Sequence, residues 1–272
     1  MKMKVDVMVN TYNSGRVLDR CLASIRANIP VRELFVVDRF SEDCTVEVAR
    51  RYGAIIVQDD GGIAEARALG FKLVETDLFV NVDSDIVLPK DWFRRMMHYW
   101  GDARVGCIWG IPLQVGTLYY KYQTAFYRIR DPCRLHVPYI PNMIARRSLL
   151  CDIKFPTSIL QGSVANEDYY IMDWIEKKGY ICKAVPIYCE HYIWPPQLGC
   201  KTFWGGASMR VNGRRGLGRM ALRSAMGLPD GLLTALISRD ARLIPYRIQF
   251  CFEQLYGYLH PQKFYDLKRL PD

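Results

Sequence analysis

The sequence predicts an α/β fold: a Rossmann-type, mostly parallel sheet flanked by helices, followed by a basic, partly helical extension. Three observations predict it. Short apolar runs alternate four times with helix-period segments within the first 85 residues, the pattern of a doubly wound parallel sheet. Two of those runs end in carboxylates, at Asp38 and at Asp83, and the carboxyl ends of strands are where open α/β sheets bind ligands. Near Lys201 the composition shifts to basic and glycine-rich, with no acid between Lys201 and Arg223.

Taken in order, Val5 to Val9 reads as the first strand, ending in the turn-rich Asn10-Thr11-Tyr12-Asn13-Ser14-Gly15. The helix after it puts Val17, Leu18, Cys21, Leu22 and Ile25 on one face, with Ser14 as its cap. Glu33 to Val37 is the second strand, and the loop Arg39 to Thr45 leads to a helix that stops at Gly53. Ala54 to Val57 is the third strand, and Gly61-Gly62 opens a helix to about Val74. Leu78 to Val82 is apolar enough to be a central strand. Pro89 suits the start of a helix through Trp100, and Val105 to Trp109 is another short strand. Between Pro112 and Pro141 no regular pattern is legible. Met143 to Leu150 reads as a strand turning into a helix. Asn166-Glu167-Asp168 opens a helix to Lys178, closed by Gly179, and Tyr180 to Val185 and Ile187 to Tyr188 read as two strands.

The 272 residues suit one large domain plus an extension, and 50% hydrophobic with 24% charged residues suits a chain with a sizeable core. A net charge of +9 points to anionic partners. Nine cysteines without a Cys-x-x-Cys pair argue against a disulfide framework or zinc site and for a reducing compartment. The N-terminal residues pass into a strand without a signal-peptide core, and no run approaches the length of a membrane span. The expectation is a cytoplasmic protein, peripheral at a membrane if the basic extension binds lipid.

Asp83-Ser84-Asp85 organises the chemistry. Carboxylates at alternate positions of a strand end point the same way, and two close carboxylates favour a hard cation such as Mg²⁺ or Mn²⁺ between them. Alone, such a triplet is also an ordinary surface turn. Glu167 and Asp168 have a bland reading as well, since acids in a first helical turn meet the macrodipole favourably. That field lowers a carboxyl pKa, so a base at Asp168 would need local desolvation to offset it.

Taken jointly, these motifs resemble the family 2 glycosyltransferases, inverting enzymes of the GT-A fold. Tyr12-Asn13 stands at the end of the first strand as in the family. Val36-Val37-Asp38-Arg39-Phe40-Ser41-Glu42-Asp43-Cys44-Thr45 resembles its second strand and loop. Gly62-Ile63-Ala64-Glu65-Ala66-Arg67 resembles the helix before its metal motif, Asp83-Ser84-Asp85 stands at that motif, and Glu167-Asp168 at its later acidic pair. The resemblance covers residues 5 to 195. Arg39 and Phe40 depart from the usual acid or small residues, which leaves the donor base open.

The resemblance implies transfer of a sugar from a nucleotide-diphosphate sugar, such as a UDP- or GDP-sugar, to a glycan or lipid-linked acceptor. It implies donor contacts from Thr11, Tyr12, Asn13, Asp38, Arg67, Asp83 and Ser84, with Arg67 supporting either the pyrophosphate or the acid-rich loops. Mg²⁺ or Mn²⁺ would be held by Asp83 and Asp85, with His191 at a position that supplies a further ligand in some relatives. Asp168 would be the general base and Glu167 would position acceptor or metal, with exchanged roles left open. Trp194-Pro195-Pro196 and Trp204 would cover the acceptor or pack in a loop.

The expected division is a catalytic domain over residues 1–200 and a basic extension over 201–272. Leu217 to Met226 and Ile244 to Leu259 mix arginine with large apolar residues, as an interfacial helix on an anionic membrane would; a solvated basic face is the plainer alternative. A polyprenyl-phosphate acceptor and a non-catalytic nucleotide-sugar binder are the rival functions. A nucleotidyltransferase would need a glycine-rich basic loop after the first strand, where Asn10-Thr11-Tyr12-Asn13 stands. An aspartyl phosphatase would carry its Asp-x-Asp on the first strand with a following Thr, which Ile86-Val87 does not supply. No nucleic-acid-binding motif is present, so no nucleic-acid partner is expected.

Overall fold

The computed structural model describes residues 3–134, 140–156, 167–192, 205–207, 209–210 and 216–261. The strands are β1 (Val5–Thr11), β2 (Val31–Asp38), β3 (Ile55–Gln58), β4 (Leu78–Asp83), β5 (Ile86–Val87), β6 (Val105–Gln114), β7 (Asn142–Arg146) and β8 (Ile181–His191). The principal helices are α1 (Gly15–Asn28), α2 (Thr45–Arg51), α3 (Ile63–Leu73), α4 (Trp92–Met97), α5 (Leu118–Phe126), α6 (Arg147–Leu150), α7 (Glu167–Lys177), α8 (Leu217–Ala225), α9 (Gly227–Ser238) and α10 (Leu243–Leu259). The chain separates into two units. The first holds Met1–Leu113, Pro132–Leu160 and Glu167–Tyr192; the second holds Gln114–Asp131, Gln161–Asn166 and Ile193–Asp272.

The first unit is built on one sheet of order β3-β2-β1-β4-β7-β6-β8-β5. Strands β3, β2, β1 and β4 run parallel, as the strand–helix alternation predicts. The parallel run stops there: β7 joins β4 antiparallel, β6 joins β7 antiparallel, and β5 joins β8 antiparallel. Every residue of β1 is buried, which fits a central strand covered on both faces. Successive side chains of β1 alternate between two cores. Val5, Val7 and Val9 pack with Leu18, Leu22 and Ile25 of α1, and Met8 packs with Phe71 of α3 and Phe79 of β4.

Several boundaries differ from the sequence reading, each for a local reason. The helix expected through Trp100 ends at Met97, because Tyr99 and Trp100 donate to carbonyls only three residues back, to Met96 and Met97, the tighter 3₁₀ pattern of a helix end. The two strands expected around Pro186 are one strand, β8. β5 pairs only with Glu190 and His191, so at Pro186 that flank has no ladder from β5 for proline to interrupt. Ser14 does occupy the N-cap of α1, but its hydroxyl makes no capping bond and is engaged elsewhere.

The second unit, as described, is helical. Its α5 lies in the stretch where no pattern was legible. Thr117 caps it, its hydroxyl accepting from the Tyr120 N–H at 3.0 Å. Tyr122, Ala235 of α9 and Leu243 of α10 form its small apolar core. Among the described residues no helix is long and apolar enough to cross a membrane.

Candidate active site

The register of the parallel strands brings the predicted acids to one edge. Thr11 at the end of β1 lies opposite Asp38, and Asn10 lies opposite Asp83, so Asp38 and Asp83 flank β1 on either side. The two do different work. Asp38 is fully buried and already accepts three hydrogen bonds: Oδ1 accepts from the Thr11 hydroxyl at 2.8 Å and the Ser41 hydroxyl at 2.5 Å, and Oδ2 accepts from the Ser41 N–H at 2.8 Å. It therefore holds the β2 loop to β1.

The loops above that edge are tied together. Asn13 and Phe40 both adopt left-handed backbone, at φ 46° and 50°, a conformation that costs energy for residues with side chains. The Asn13 N–H donates to Ser41 Oγ at 2.9 Å, and the Glu42 N–H donates to the Asn13 side-chain oxygen at 3.0 Å. These bonds hold Tyr12 and Phe40 half in solvent, with the Arg39 guanidinium 5.4 Å from the Tyr12 ring centre. Beside them the Ser14 and Ser84 hydroxyls share a hydrogen bond of 2.9 Å, which joins the β1 loop to the turn between Asp83 and Asp85.

Arg67 is the hub of the site. Its side chain is 3% exposed, and it donates to Asp83 at 3.1 Å, to Glu167 at 3.0 Å and to Asp168. Helix α3 supplies the arginine, β4 the first acid and the opening turn of α7 the other two. These contacts tie α3 to the acid-bearing segments. Burial alone would draw the guanidinium pKa down, but the three carboxylates more than reverse that and raise it. Burial is also the largest influence on Asp168, pushing its pKa up to about 7; Arg67 opposes this and Glu167 and Asp83 reinforce it. This is the desolvation that a base at a helix N-terminus requires. Asp83 is likewise raised, chiefly by burial, against the pull of Arg67.

Asp85 turns to a different partner. Its Oδ2 lies 3.0 Å from His191 Nε2, and the Tyr192 N–H donates to the Asp85 carbonyl at 2.8 Å. The pairing of Ile86 with His191 fixes this geometry. A carboxylate oxygen and an imidazole nitrogen at that separation fit as adjacent ligands of one divalent cation, and the mixed donor set suits Mn²⁺ as well as Mg²⁺. Among the described residues no three His, Cys, Asp or Glu side chains converge on one metal position. The chain thus offers a two-donor edge, to which phosphate oxygens and water would add the rest.

Trp194, Pro195, Pro196 and Trp204, expected near an acceptor, lie outside the described residues, as does Asn166 before α7. The sequence reading passed over Asn10. It is buried between the two acid-bearing strands, and neither polar atom of its amide has a hydrogen-bond partner, a cost of about 1–3 kcal/mol. The available signal was an amide ending an otherwise apolar strand.

Comparison with known proteins follows the same lines. No protein of curated function matches the chain in sequence. Among solved structures, a mannosyltransferase from Pyrobaculum calidifontis in complex with GDP-Man and Mn²⁺ superposes with a TM-score of 0.66 at 18% identity, covering 96% of this chain and 88% of that one. Glucosyl-3-phosphoglycerate synthase from Mycobacterium tuberculosis, in complex with Mn²⁺, UDP and glucosyl-3-phosphoglycerate, superposes with a TM-score of 0.53 at 19% identity, covering 71% and 74%. At these identities the likeness establishes a shared fold, the GT-A-like arrangement. The model of the family described as Glycosyl transferase family 2 matches residues 6–158, more than half of the chain and all of the Asp38, Arg67 and Asp83–Asp85 framework. The chain belongs to glycosyl transferase family 2.

Proposed function

We propose that the chain transfers a glycosyl group from a nucleoside diphosphate sugar to an acceptor hydroxyl with inversion at the anomeric carbon. The observation that carries this reading is Asp168, a largely buried carboxylate whose pKa is raised to about 7 beside Arg67 and Glu167. A base works best with a pKa near the working pH. In a single displacement the acceptor oxygen attacks the anomeric carbon as its proton passes to an Asp168 oxygen. The bond from that carbon to the diphosphate oxygen breaks, and its electron pair leaves with the nucleotide.

The other residues take their roles from where they sit. Asp85 and His191 would hold Mg²⁺ or Mn²⁺, which supplies Lewis-acid neutralisation of the departing diphosphate. Asp83 and Glu167 fix the Arg67 guanidinium, and through it the orientation of Asp168. Asp38 acts one step back from the donor, by shaping the loop that presents Tyr12, Asn13, Arg39 and Phe40 to its base. The chemistry belongs to the 1–200 portion of the chain. Complexes of the fold relatives with GDP-Man and with UDP-glucose and Mn²⁺ support those two donors as the first to try.

The test pairs binding with turnover. Thermal shift with GDP-mannose or UDP-glucose should require Mn²⁺ or Mg²⁺, and His191→Ala should raise the metal concentration needed. Asp168→Asn should keep the donor-induced shift while slowing donor turnover by about 10²–10⁴-fold. Turnover at the native rate by Asp168→Asn would refute the base assignment.

A further inference from the structure

The second unit carries a surface that the transfer reaction does not use. Helix α9 is amphipathic with its sides exchanged. Its buried residues are Gly227, Gly231, Thr234 and Ala235, and its leucines face out: Leu228, Leu232, Leu233 and Leu236 are 49%, 51%, 45% and 77% exposed. Leu228, Leu232 and Leu236 recur every fourth residue, so they form one stripe along the helix. The small face is used for close packing. A Cβ on Gly231 would lie 3.1 Å from the Ile244 Cα, and one on Gly227 would lie 3.2 Å from the Cys251 Cβ, so glycines four apart let α9 lie close against α10. Leu222 and Met226 continue the apolar exposure on and just after α8.

The exposed charge of the helices that carry this stripe is mainly basic. Between residues 216 and 261 the sequence carries five arginines against three Asp and Glu. Two of those acids are withdrawn from the surface: Asp230 is bound to Arg247 at 2.8 Å, and Asp240 to Lys121 and Arg242 at 2.6 and 2.7 Å. Arg219 and Arg239 are exposed, and the Arg242 side chain is 70% exposed. A leucine stripe flanked by arginines fits the boundary between acyl chains and anionic headgroups, with guanidinium groups on the lipid phosphates. A second copy of the chain would bring like charges together on the same face. Twelve residues of helix rise about 18 Å, too short to span a bilayer and suited to lying along its surface.

We infer that the leucine face of α9, with the adjoining end of α8, docks this protein on an anionic lipid bilayer. Flotation with equimolar phosphatidylcholine–phosphatidylglycerol vesicles tests it and needs no donor, so its outcome is independent of the proposed reaction. The native chain should float with these vesicles and bind pure phosphatidylcholine more weakly. Leu232→Glu with Leu236→Glu should lower binding about tenfold or more, and Arg219→Gln or Arg239→Gln about fivefold each. Unchanged circular dichroism and melting establish that the variants fold; should the double variant fail to fold, Leu236→Ser alone carries the test. Absence of flotation, equal binding to neutral vesicles, or a lipid-free dimer dissolved by the leucine substitutions would overturn the inference.

Discussion

The two units solve the burial of charge in opposite ways. In the sheet unit, apolar side chains pack on both faces of β1, and one cation meets three carboxylates where Arg67 binds Asp83, Glu167 and Asp168. There carboxylates outnumber the cation, and burial, reinforced by the neighbouring acids against the pull of Arg67, raises Asp168 and Asp83. In the helical unit, Asp230 meets Arg247 one to one, the Tyr122 hydroxyl donates to the same carboxylate at 2.9 Å, and Arg247 lies 4.0 Å from the Tyr122 ring centre. That set is balanced and surrounds a small core, while the leucines of α9 stand outside. An unbalanced cluster stores reactivity; a balanced one only holds helices together.

Removing the cation from each cluster should separate the two most widely. Arg67→Ala leaves three carboxylates facing one another in a buried site and should cost about 3–5 kcal/mol in urea denaturation at pH 7. Arg247→Ala leaves one and should cost less. Lowering the pH toward 5 should recover part of the Arg67→Ala loss, since protonation relieves repulsion among its acids. Equal losses with equal pH dependence would erase the distinction between the clusters.

Apolar substitutions give the next largest contrast. Leu22→Ala, in the core of the sheet unit, should lose about 2–5 kcal/mol, whereas Leu236→Ala, at 77% exposed, should stay within about 0.5 kcal/mol. Thermal melts of both variants measure it, and a large loss at Leu236 would mean that its face is covered.

The pH dependence of one residue is the most informative about mechanism. Asp168 has a folded pKa raised to about 7 from the ordinary 3.8, so the folded state holds a proton that the unfolded chain releases. Its contribution to stability is full below about pH 4 and is lost as pH rises through 7. Asp168→Asn should therefore melt no lower than the native chain at pH 8, and should narrow the difference in melting between pH 5 and pH 8. Transfer by the native chain should rise with pH through about 7 as the carboxylate ionises. A pH-independent rate between 5 and 8 would detach the raised carboxylate from the reaction.

What the sequence made legible follows from the range of each interaction. Strands β1 to β4 and the acids at their ends are local patterns, and alternation with helices implies their parallel order. The Asp85–His191 pair spans 106 residues and the Arg67–Asp168 contact spans 101, so residue types could suggest partners for them but no spacing could demonstrate contact. Helix α5 was missed because Leu118, Tyr119, Tyr122 and Phe126 lie among other aromatics that blur the period. For α9 the sequence carries the repeat but not its orientation. A helix whose small face is buried shows the same repeat as one whose large face is buried, and only the packing of Gly227 and Gly231 decides between them.

The pairing of β5 with β8 has a consequence for how the protein comes into being. Asp83 and Asp85 are made early, with the parallel strands around them, but the imidazole beside Asp85 arrives only with residue 191. Glu167 and Asp168 also emerge late, long after the arginine that binds them. A ribosome-bound chain that has completed β4 therefore carries the acids of the site without their histidine or the candidate base. The Asp85–His191 pair therefore cannot form until the chain has been made through residue 191.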